Sequence, residues 1–220
     1  MVREAAWMAR CIGRGRLAPL RPEDLHALAS DLQTRSLARG ERVFAAGEPS
    51  PGVVVVRSGS VELAVRQARR TLVVEVLRAG DVDGDLPLLL GVPLPYSARA
   101  ASPTEVLFLP GERFVDVLRR HPSIALSWLT SVSARLSASQ QRLVDLLGLP
   151  LTAQLAKLLM AEESDGLVPL SQGTLAAMLG VRRSTLNRLV SEWSTHGWVR
   201  SGYGRLDVLD LDALARLARG

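Results

Sequence analysis

Short apolar runs separated by glycines and polar residues dominate the chain between residues 42 and 110. Their β-branched residues predict strands at 53–56, 61–65, 71–77 and 106–109, because such side chains suit a pleated, half-buried surface. Glycines lie between or beside these runs, where a strand must turn and a positive φ is useful. The regular spacing predicts a small antiparallel barrel or roll.

A helical pattern replaces the strand pattern after Gly111. It predicts one helix over 112–120 and a long helix over about 123–147. The apolar positions of the long helix recur at intervals of three, four and seven and form a coiled-coil-like seam. The seam consists of Leu129, Val132, Leu136, Leu143 and Leu147. Packing on the chain's own roll is the alternative use of so narrow a stripe, but a long helix between two domains favours dimerisation.

The predicted fold class is therefore α+β, in three parts. A β-roll domain with N-terminal helices occupies residues 1–120, and the dimerisation helix occupies 121–148. Gly148 and Pro150 interrupt that helix, so we place a boundary and a hinge there. The third part, residues 149–220, is predicted to be a winged helix-turn-helix.

Two short helices joined by a glycine turn are predicted within SQGTLAAMLGVRRSTLNRLV, residues 171–190. Ser171 is a good N-cap, and Gly180 supplies the turn. The first helix is expected to bury Leu175, Met178 and Leu179. The second begins near Arg182 or Arg183 and is expected to bury Val181, Leu186 and Leu189. Four polar residues then share its solvent-facing side, namely Arg183, Ser184, Asn187 and Arg188. This arrangement suits a major groove, where guanidinium groups bind guanine bidentately.

A glycine-rich hairpin follows these helices in residues 197–209. Its two predicted strands form a β-wing that carries Arg200 and Arg205 toward DNA phosphates. Without the wing, the pattern would fit an ordinary helical hairpin with solvated arginines equally well. Residues 181–205 hold five arginines against one glutamate, so the basic charge is local and favours nucleic acid.

Composition excludes several other classes of protein. No stretch approaches the roughly 20 apolar residues of a membrane span, and the first 16 residues lack a secretion signal, so we expect a cytoplasmic protein. Cys11 is the only cysteine, and it and the three histidines show no metal-ligand spacing. The run 81–85 has carboxylates and a glycine in the wrong register for a calcium loop. No catalytic motif accompanies Cys11 or the histidines, so an enzyme is not expected.

Residues 17–217 resemble the Crp/Fnr superfamily of bacterial regulators. The segments LARGERVFAAGEPS, VVVVRSGSVELAV, LRAGDVDGDLPLL and SARAASPTEVLFLP are similar to its sensor roll, and LSQGTLAAMLGVRRSTLNRLV is similar to its DNA-reading unit. The resemblance implies a homodimer that binds a palindromic operator in double-stranded DNA, with RNA polymerase as a further partner. A ligand-binding or protein-interaction module that has lost DNA binding is the alternative.

The same resemblance implies roles for individual DNA-facing residues. Arg183 and Arg188 match the two base-reading arginines, and Asn187 lies on the same face. Ser184 stands where well-studied members have a glutamate, which predicts a different operator at that base pair. The expected backbone contacts are Ser171, Gln172, Arg182, Thr185, Arg200 and Arg205.

The resemblance also implies an effector pocket, with altered charges. Gly84-Asp85 matches a glycine–glutamate pair that meets a ribose, and Tyr96-Ser97-Ala98 matches an Arg-Ser-Ala that neutralises a cyclic phosphate. Tyr96 has no charge, and Arg99 is expected to point to the other face of its strand, so cyclic AMP is disfavoured and the effector is unknown. Ser139 and Gln140 match purine contacts from the partner helix. The alternatives are a turn that the roll needs in any case, for Gly84-Asp85, and ordinary exposed helix positions, for Ser139 and Gln140.

Overall fold

A computed structural model of the chain describes residues 2–12, 21–67 and 70–219. Contacts divide it into two compact units, one of Met1–Arg69 with Val74–Ser137 and the other of Arg70–Val73 with Ala138–Gly220. Among the helices of the described ranges, none has both the length and the apolarity needed to cross a bilayer.

Two four-stranded antiparallel sheets and flanking helices make up the N-terminal part of the chain. The strand orders are β1-β8-β3-β6 and β2-β7-β4-β5. The strands are β1 (Gln33–Leu37), β2 (Arg42–Phe44), β3 (Gly52–Ser58), β4 (Val61–Gln67), β5 (Arg70–Leu77), β6 (Val82–Asp83), β7 (Ser97–Ala100) and β8 (Thr104–Pro110). The helices are α1 (Val2–Ile12), α2 (Pro22–Asp31), α3 (Asp85–Leu90), α4 (Gly111–Arg120) and α5 (Pro122–Gly148). The α+β roll and its long helix are thereby confirmed.

The four-valine run of β3 explains how the roll is built. Val53 and Val55 pack in a cluster with residues of α1, α2, α4 and α5, whereas Val54 and Val56 pack in a second cluster drawn from strands of both sheets. Successive side chains of a strand point to opposite faces, so an uninterrupted apolar run is what a strand buried on both faces requires. The predicted strand is confirmed.

The C-terminal part is a small helical unit with a three-stranded sheet, β10-β11-β9. Its elements are α6 (Leu151–Glu162), β9 (Leu167–Val168), α7 (Gln172–Met178), α8 (Arg183–Thr195), β10 (Val199–Gly202), β11 (Arg205–Val208) and α9 (Leu211–Leu217). The helix-turn-helix and the two-stranded wing have the positions that the sequence predicts.

The link between α5 and α6 is closed by side chains of α6. Gln154 Nε2 donates hydrogen bonds to the carbonyl oxygens of Leu146 (3.0 Å) and Leu149 (2.8 Å). Lys157 Nζ lies 2.8 Å from Asp145 Oδ1, and this hydrogen bond lowers the pKa of Asp145. Carbonyl groups at the end of α5, which lack partners within their own helix, are thus satisfied by the next helix.

Candidate nucleic-acid interface and effector site

The turn between α7 and α8 follows from local chemistry. Ser171 Oγ accepts a hydrogen bond from the Thr174 backbone N–H at 3.0 Å and so caps α7. Gly180 has φ +65°, a conformation that favours glycine. Leu175 is fully buried, but Met178 and Leu179 are only half-buried. The sequence therefore predicted too many buried residues for α7, because this short helix buries the side chains of only one turn.

Helix α8 has one buried face and one exposed face. Leu186, Leu189, Val190 and Trp193 are buried at the spacing of a helical core face. The opposite face carries the four residues expected to read bases, Arg183, Ser184, Asn187 and Arg188, and all four are exposed. Arg182 at the N-cap is also exposed, whereas Thr185 is half-buried. The structure thus gathers the candidate base readers on one surface at the start of the helix.

The wing is a hairpin whose arginines share one carboxylate. β10 and β11 pair with Gly202 opposite Arg205, leaving Tyr203 fully exposed in the two-residue turn. Arg200 contacts Asp207 Oδ2 through Nη2 (2.9 Å) and Nε (3.0 Å), and Arg205 Nε lies 3.5 Å from Asp207 Oδ1. Exposed ion pairs of this kind contribute little stability. Asp207 therefore orients both arginines without preventing either from contacting a phosphate.

Gln172 positions the wing. Its Nε2 donates a hydrogen bond to Ser201 Oγ at 2.8 Å, so the first residue of α7 holds β10. The family resemblance assigns Gln172 to the DNA backbone, and the contact with Ser201 supplies a second role for it. Nothing in the local sequence indicates this bond, since its partners are 29 residues apart.

Most of the α5 seam is exposed within one chain. Leu129, Leu136, Leu143 and Leu147 are each at least 56% exposed, which is unusual for large apolar side chains grouped on one helix. Val132 is half-buried and packs against the core cluster that joins the roll to its helices. Val132 therefore packs on the roll, as the alternative interpretation of the stripe predicts, whereas the four leucines remain exposed.

In the roll, Asp85 is fully buried and both of its oxygens are occupied. Oδ2 accepts a hydrogen bond from Trp128 Nε1 at 2.8 Å and also contacts Arg135 Nη2. Oδ1 accepts from Arg135 Nη1 at 3.2 Å, and that nitrogen also donates to the Val82 carbonyl at 3.1 Å. The carboxylate expected to meet a ribose hydroxyl is thus bound to two side chains of α5.

Tyr96 binds a second buried carboxyl group. Its hydroxyl donates to Asp83 Oδ1 at 2.8 Å. The pKa of Asp83 is raised from 3.8 to about 6, chiefly because the carboxyl is buried; the nearby Asp85 also raises this pKa, whereas hydrogen bonds from Tyr96 and the Gly84 N–H and the charge of Arg135 lower it. Burial, with the neighbouring Asp83, also raises the pKa of Tyr96. A neutral phenol and an acid therefore stand where the resemblance implies a cation.

The remaining candidates of the pocket have structural partners or are exposed. Gly84 has φ +85°, and a Cβ there would overlap the carbonyl oxygen of Gly52, so the turn needs glycine whatever the roll binds. Ser97 Oγ accepts from the Ala46 N–H at 3.1 Å. Ala98 is buried in the core between the sheets. Arg99 is exposed and donates to the Gly40 carbonyl at 3.1 Å. Ser139 and Gln140 are exposed on α5, within the second unit.

Comparison with known proteins agrees with this arrangement. Residues 34–121 match the cyclic nucleotide-binding domain, and residues 118–217 match the Crp-like helix-turn-helix domain. The chain is 45% identical over 218 residues to the HTH-type transcriptional regulator Cmr of Mycobacterium tuberculosis, covering 99% of this chain and 89% of that one. The chain belongs to the Crp/Fnr family. It is a DNA-binding transcription regulator of the Crp/Fnr type.

Other Crp/Fnr proteins align over nearly the whole chain. The cyclic AMP receptor protein of Thermus thermophilus is 30% identical over 208 residues, covering 91% of this chain and 95% of that one. The crystal structure of a CRP/FNR-family transcriptional regulator from the same organism superimposes with a TM-score of 0.73 at 26% identity, covering 86% of this chain and 99% of that one.

Three residues of this Crp/Fnr chain were missed by sequence reasoning. Asp83 lies in the acidic run that was considered as a calcium loop, Trp128 lies beside the seam, and Arg135 lies among polar helix positions. The structure joins Asp85 to Trp128 and Arg135, and Asp83 to Tyr96. The sequence offered one signal. Tyr96 carries no charge where the resemblance implies a cation, so the carboxylates of this region need another partner.

Proposed function

We propose that the protein acts as a homodimer on a palindromic operator. The supporting observation is the row of exposed leucines along α5, because covering such a row with a second copy removes apolar surface from water. In this proposal residues 1–120 form the effector domain, 121–148 the dimer helix and 149–220 the DNA-binding domain. We also propose action in the cytoplasm and contact with RNA polymerase, as the family resemblance implies.

Reading of the operator is assigned to α8. Arg183, Ser184, Asn187 and Arg188 are the exposed residues that would face base edges, and two copies of α8 would enter successive major grooves about 34 Å apart. The observation that carries this proposal is their grouping on one face, directly after the Gly180 turn. Ser171, Gln172, Arg182, Thr185, Arg200 and Arg205 would lie along the phosphate backbone.

Regulation without cyclic AMP is the second part of the proposal. The relative named as a cyclic AMP receptor protein makes this nucleotide a candidate. Here, however, the carboxylate oxygens of Asp85 that would contact a ribose are bound by Trp128 and Arg135. Tyr96 cannot neutralise a phosphate, and its hydroxyl proton is used by Asp83. A phosphate placed beside these carboxyl groups would lack the charge-assisted contacts that anion binding requires.

Selection of bound duplexes from a random pool tests both parts, run at fixed salt with and without cyclic AMP. Equal enrichment of one palindromic site in both arms is expected. Enrichment only with the nucleotide would contradict the assignment of Asp85 and Tyr96. The Arg183→Ala/Arg188→Ala variant is the control, since it removes base contacts and leaves the fold. No enrichment in either arm would favour the interaction-module alternative.

The salt dependence of DNA binding further distinguishes a DNA-binding regulator from the interaction-module alternative. For a DNA-binding dimer the logarithm of the binding constant falls with the logarithm of salt concentration, by about 0.9 for each phosphate contact. We expect Arg200→Ala, measured on the selected site, to reduce this slope. An affinity that does not respond to salt would contradict a role for the wing arginines at the phosphates.

A further inference from the structure

Five residues of the first unit form a polar group around two buried carboxyls, which we call the Asp83 cluster. Asp83 comes from β6, Asp85 from α3 and Tyr96 from the segment before β7, while Trp128 and Arg135 come from α5. Asp83 is 5% exposed and Asp85 is fully buried. Arg135 is hydrogen-bonded to Asp85 and acts on Asp83 through its charge, so the cluster carries net charge −1 when both carboxyl groups are ionised and is neutral when one is protonated.

The hydrogen bonding of the Asp83 cluster is incomplete. Among the described residues, no group bonds to Asp83 Oδ2 or to Arg135 Nε, although both atoms are buried. One is an acceptor and the other a donor. A buried polar atom without a partner is costly, so the ionised form of Asp83 is poorly supported where it lies.

We propose that the roll senses acidification through Asp83, whose buried carboxyl takes up a proton and loses its charge beside Asp85. When Asp83 is ionised, its charge repels that of Asp85, while the Arg135 guanidinium is hydrogen-bonded to Asp85. Protonation of Asp83 ends that repulsion and removes the net charge of the cluster. The proton would then act as the effector of a roll whose cyclic-phosphate contacts are missing.

The groups around Asp83 determine the pH at which its carboxyl takes up the proton. Burial and, to a lesser extent, Asp85 raise the pKa of Asp83, while Tyr96, the Gly84 N–H and Arg135 lower it, and the net result is a pKa of about 6. The residue of β3 that pairs with Asp83 is Val54, which is apolar. The charge of Glu75 raises the pKa of the Tyr96 hydroxyl. A raised pKa favours the protonated folded state, so the stability that Asp83 confers is present below about pH 4 and is lost as the pH rises through about 6.

Arg135 connects this titration to α5. The residue precedes Leu136, one of the exposed leucines that the proposed dimer would cover. The charge state of Asp83 therefore changes the attachment of α5 to the roll beside the proposed dimer contact. A regulatory effect on DNA binding rests on the proposed function, whereas the titration itself does not.

The indole N–H of Trp128 is a direct probe, because it donates to Asp85 Oδ2. In 15N spectra of the intact protein, its signal, assigned by its loss in Trp128→Phe, is expected to titrate with a midpoint near pH 6. The Asp83→Asn variant is expected to abolish this titration. Tyr96→Phe is expected to move the midpoint to higher pH, because the Tyr96 hydrogen bond lowers the pKa of Asp83. A midpoint that survives Asp83→Asn would overturn the proposal.

Two controls separate Asp83 from other titrating groups of the roll. Glu62 of β4 has a pKa raised by burial, and His121 lies 3.1 Å from Asp24. Neither belongs to the Asp83 cluster, so Glu62→Gln and His121→Gln are expected to leave the Trp128 midpoint unchanged. Loss of the titration in His121→Gln, with retention in Asp83→Asn, would assign the response to the histidine and overturn the proposal.

Binding to the selected operator tests the regulatory step. The dissociation constants at about pH 5.5 and pH 7.5 are expected to differ by about twofold or more, the ratio that a difference of half a pKa unit between free and bound protein gives over this range. Asp83→Asn is expected to abolish the difference. Equal ratios in the two proteins would overturn the regulatory step. Because the NMR experiment uses no DNA, a failed operator selection would contradict the proposed function alone.

Discussion

The buried pair of Arg135 and Asp85 allows a prediction about which partner is costlier to remove. Arg135→Met leaves Asp85 charged and fully buried, with Trp128 as its only remaining side-chain partner among those described. Removing one member of a buried pair costs about 3–5 kcal/mol when the other cannot reach water. Asp85→Asn leaves a guanidinium whose side chain is 29% exposed and can be rehydrated, so we expect a smaller cost of about 1–2 kcal/mol.

Urea unfolding of the intact chain at about pH 7.5 measures both costs, followed by the native Trp128 indole signal so that only the first unit is reported. The free energy differences come from the shift of the midpoint at constant slope. The double variant Arg135→Met/Asp85→Asn is expected to lose less than the sum of the two, since no uncompensated charge remains. Arg119→Met, at an exposed position of α4, is the control and is expected to change stability by less than about 0.5 kcal/mol. Equal costs for Arg135→Met and Asp85→Asn would refute the reasoning.

Three further substitutions test the site and the fold. Arg183→Ala is expected to weaken binding to the selected operator by about 1–3 kcal/mol and to relax selection at one base pair; unchanged affinity and selectivity would contradict base reading. Ser171→Ala removes the cap on Thr174 and is expected to destabilise the second unit by about 1 kcal/mol in urea, with no change in the first. Gly84→Ala forces an alanine to φ +85° and against Gly52, so a loss of about 2 kcal/mol or more is expected for the roll; a neutral effect in the same assay would show that this turn can rearrange.

The helix-turn-helix and the wing were predictable because their determinants are local. Ser171 caps the helix that begins at the next residue, Gly180 supplies the turn, and Leu186 and Trp193 repeat at helical spacing. Each signal lies within about one helical turn or one hairpin of the backbone that it shapes. Amphipathic periodicity also located α5 and its exposed leucines.

The Asp83 cluster was not predictable in the same way. Its hydrogen bonds join residues 13 to 50 positions apart, and a run of aspartates with a glycine ordinarily indicates an exposed turn. Periodicity identifies Arg135 only as a polar position of the helix, because the pattern does not show which polar residue contacts a buried carboxylate. Val132 was similarly ambiguous, since one stripe can contact the roll at one point and remain exposed at the next.

The closed link at the end of α5 bears on how motion could pass along the chain. Gly148 and Pro150 suggest a loose joint from the sequence, yet Gln154 holds the Leu146 and Leu149 carbonyls. Breaking two such hydrogen bonds costs about 1 kcal/mol each, so only a few per cent of molecules would have the joint open. A rotation of the last turn of α5 would therefore be transmitted to α6.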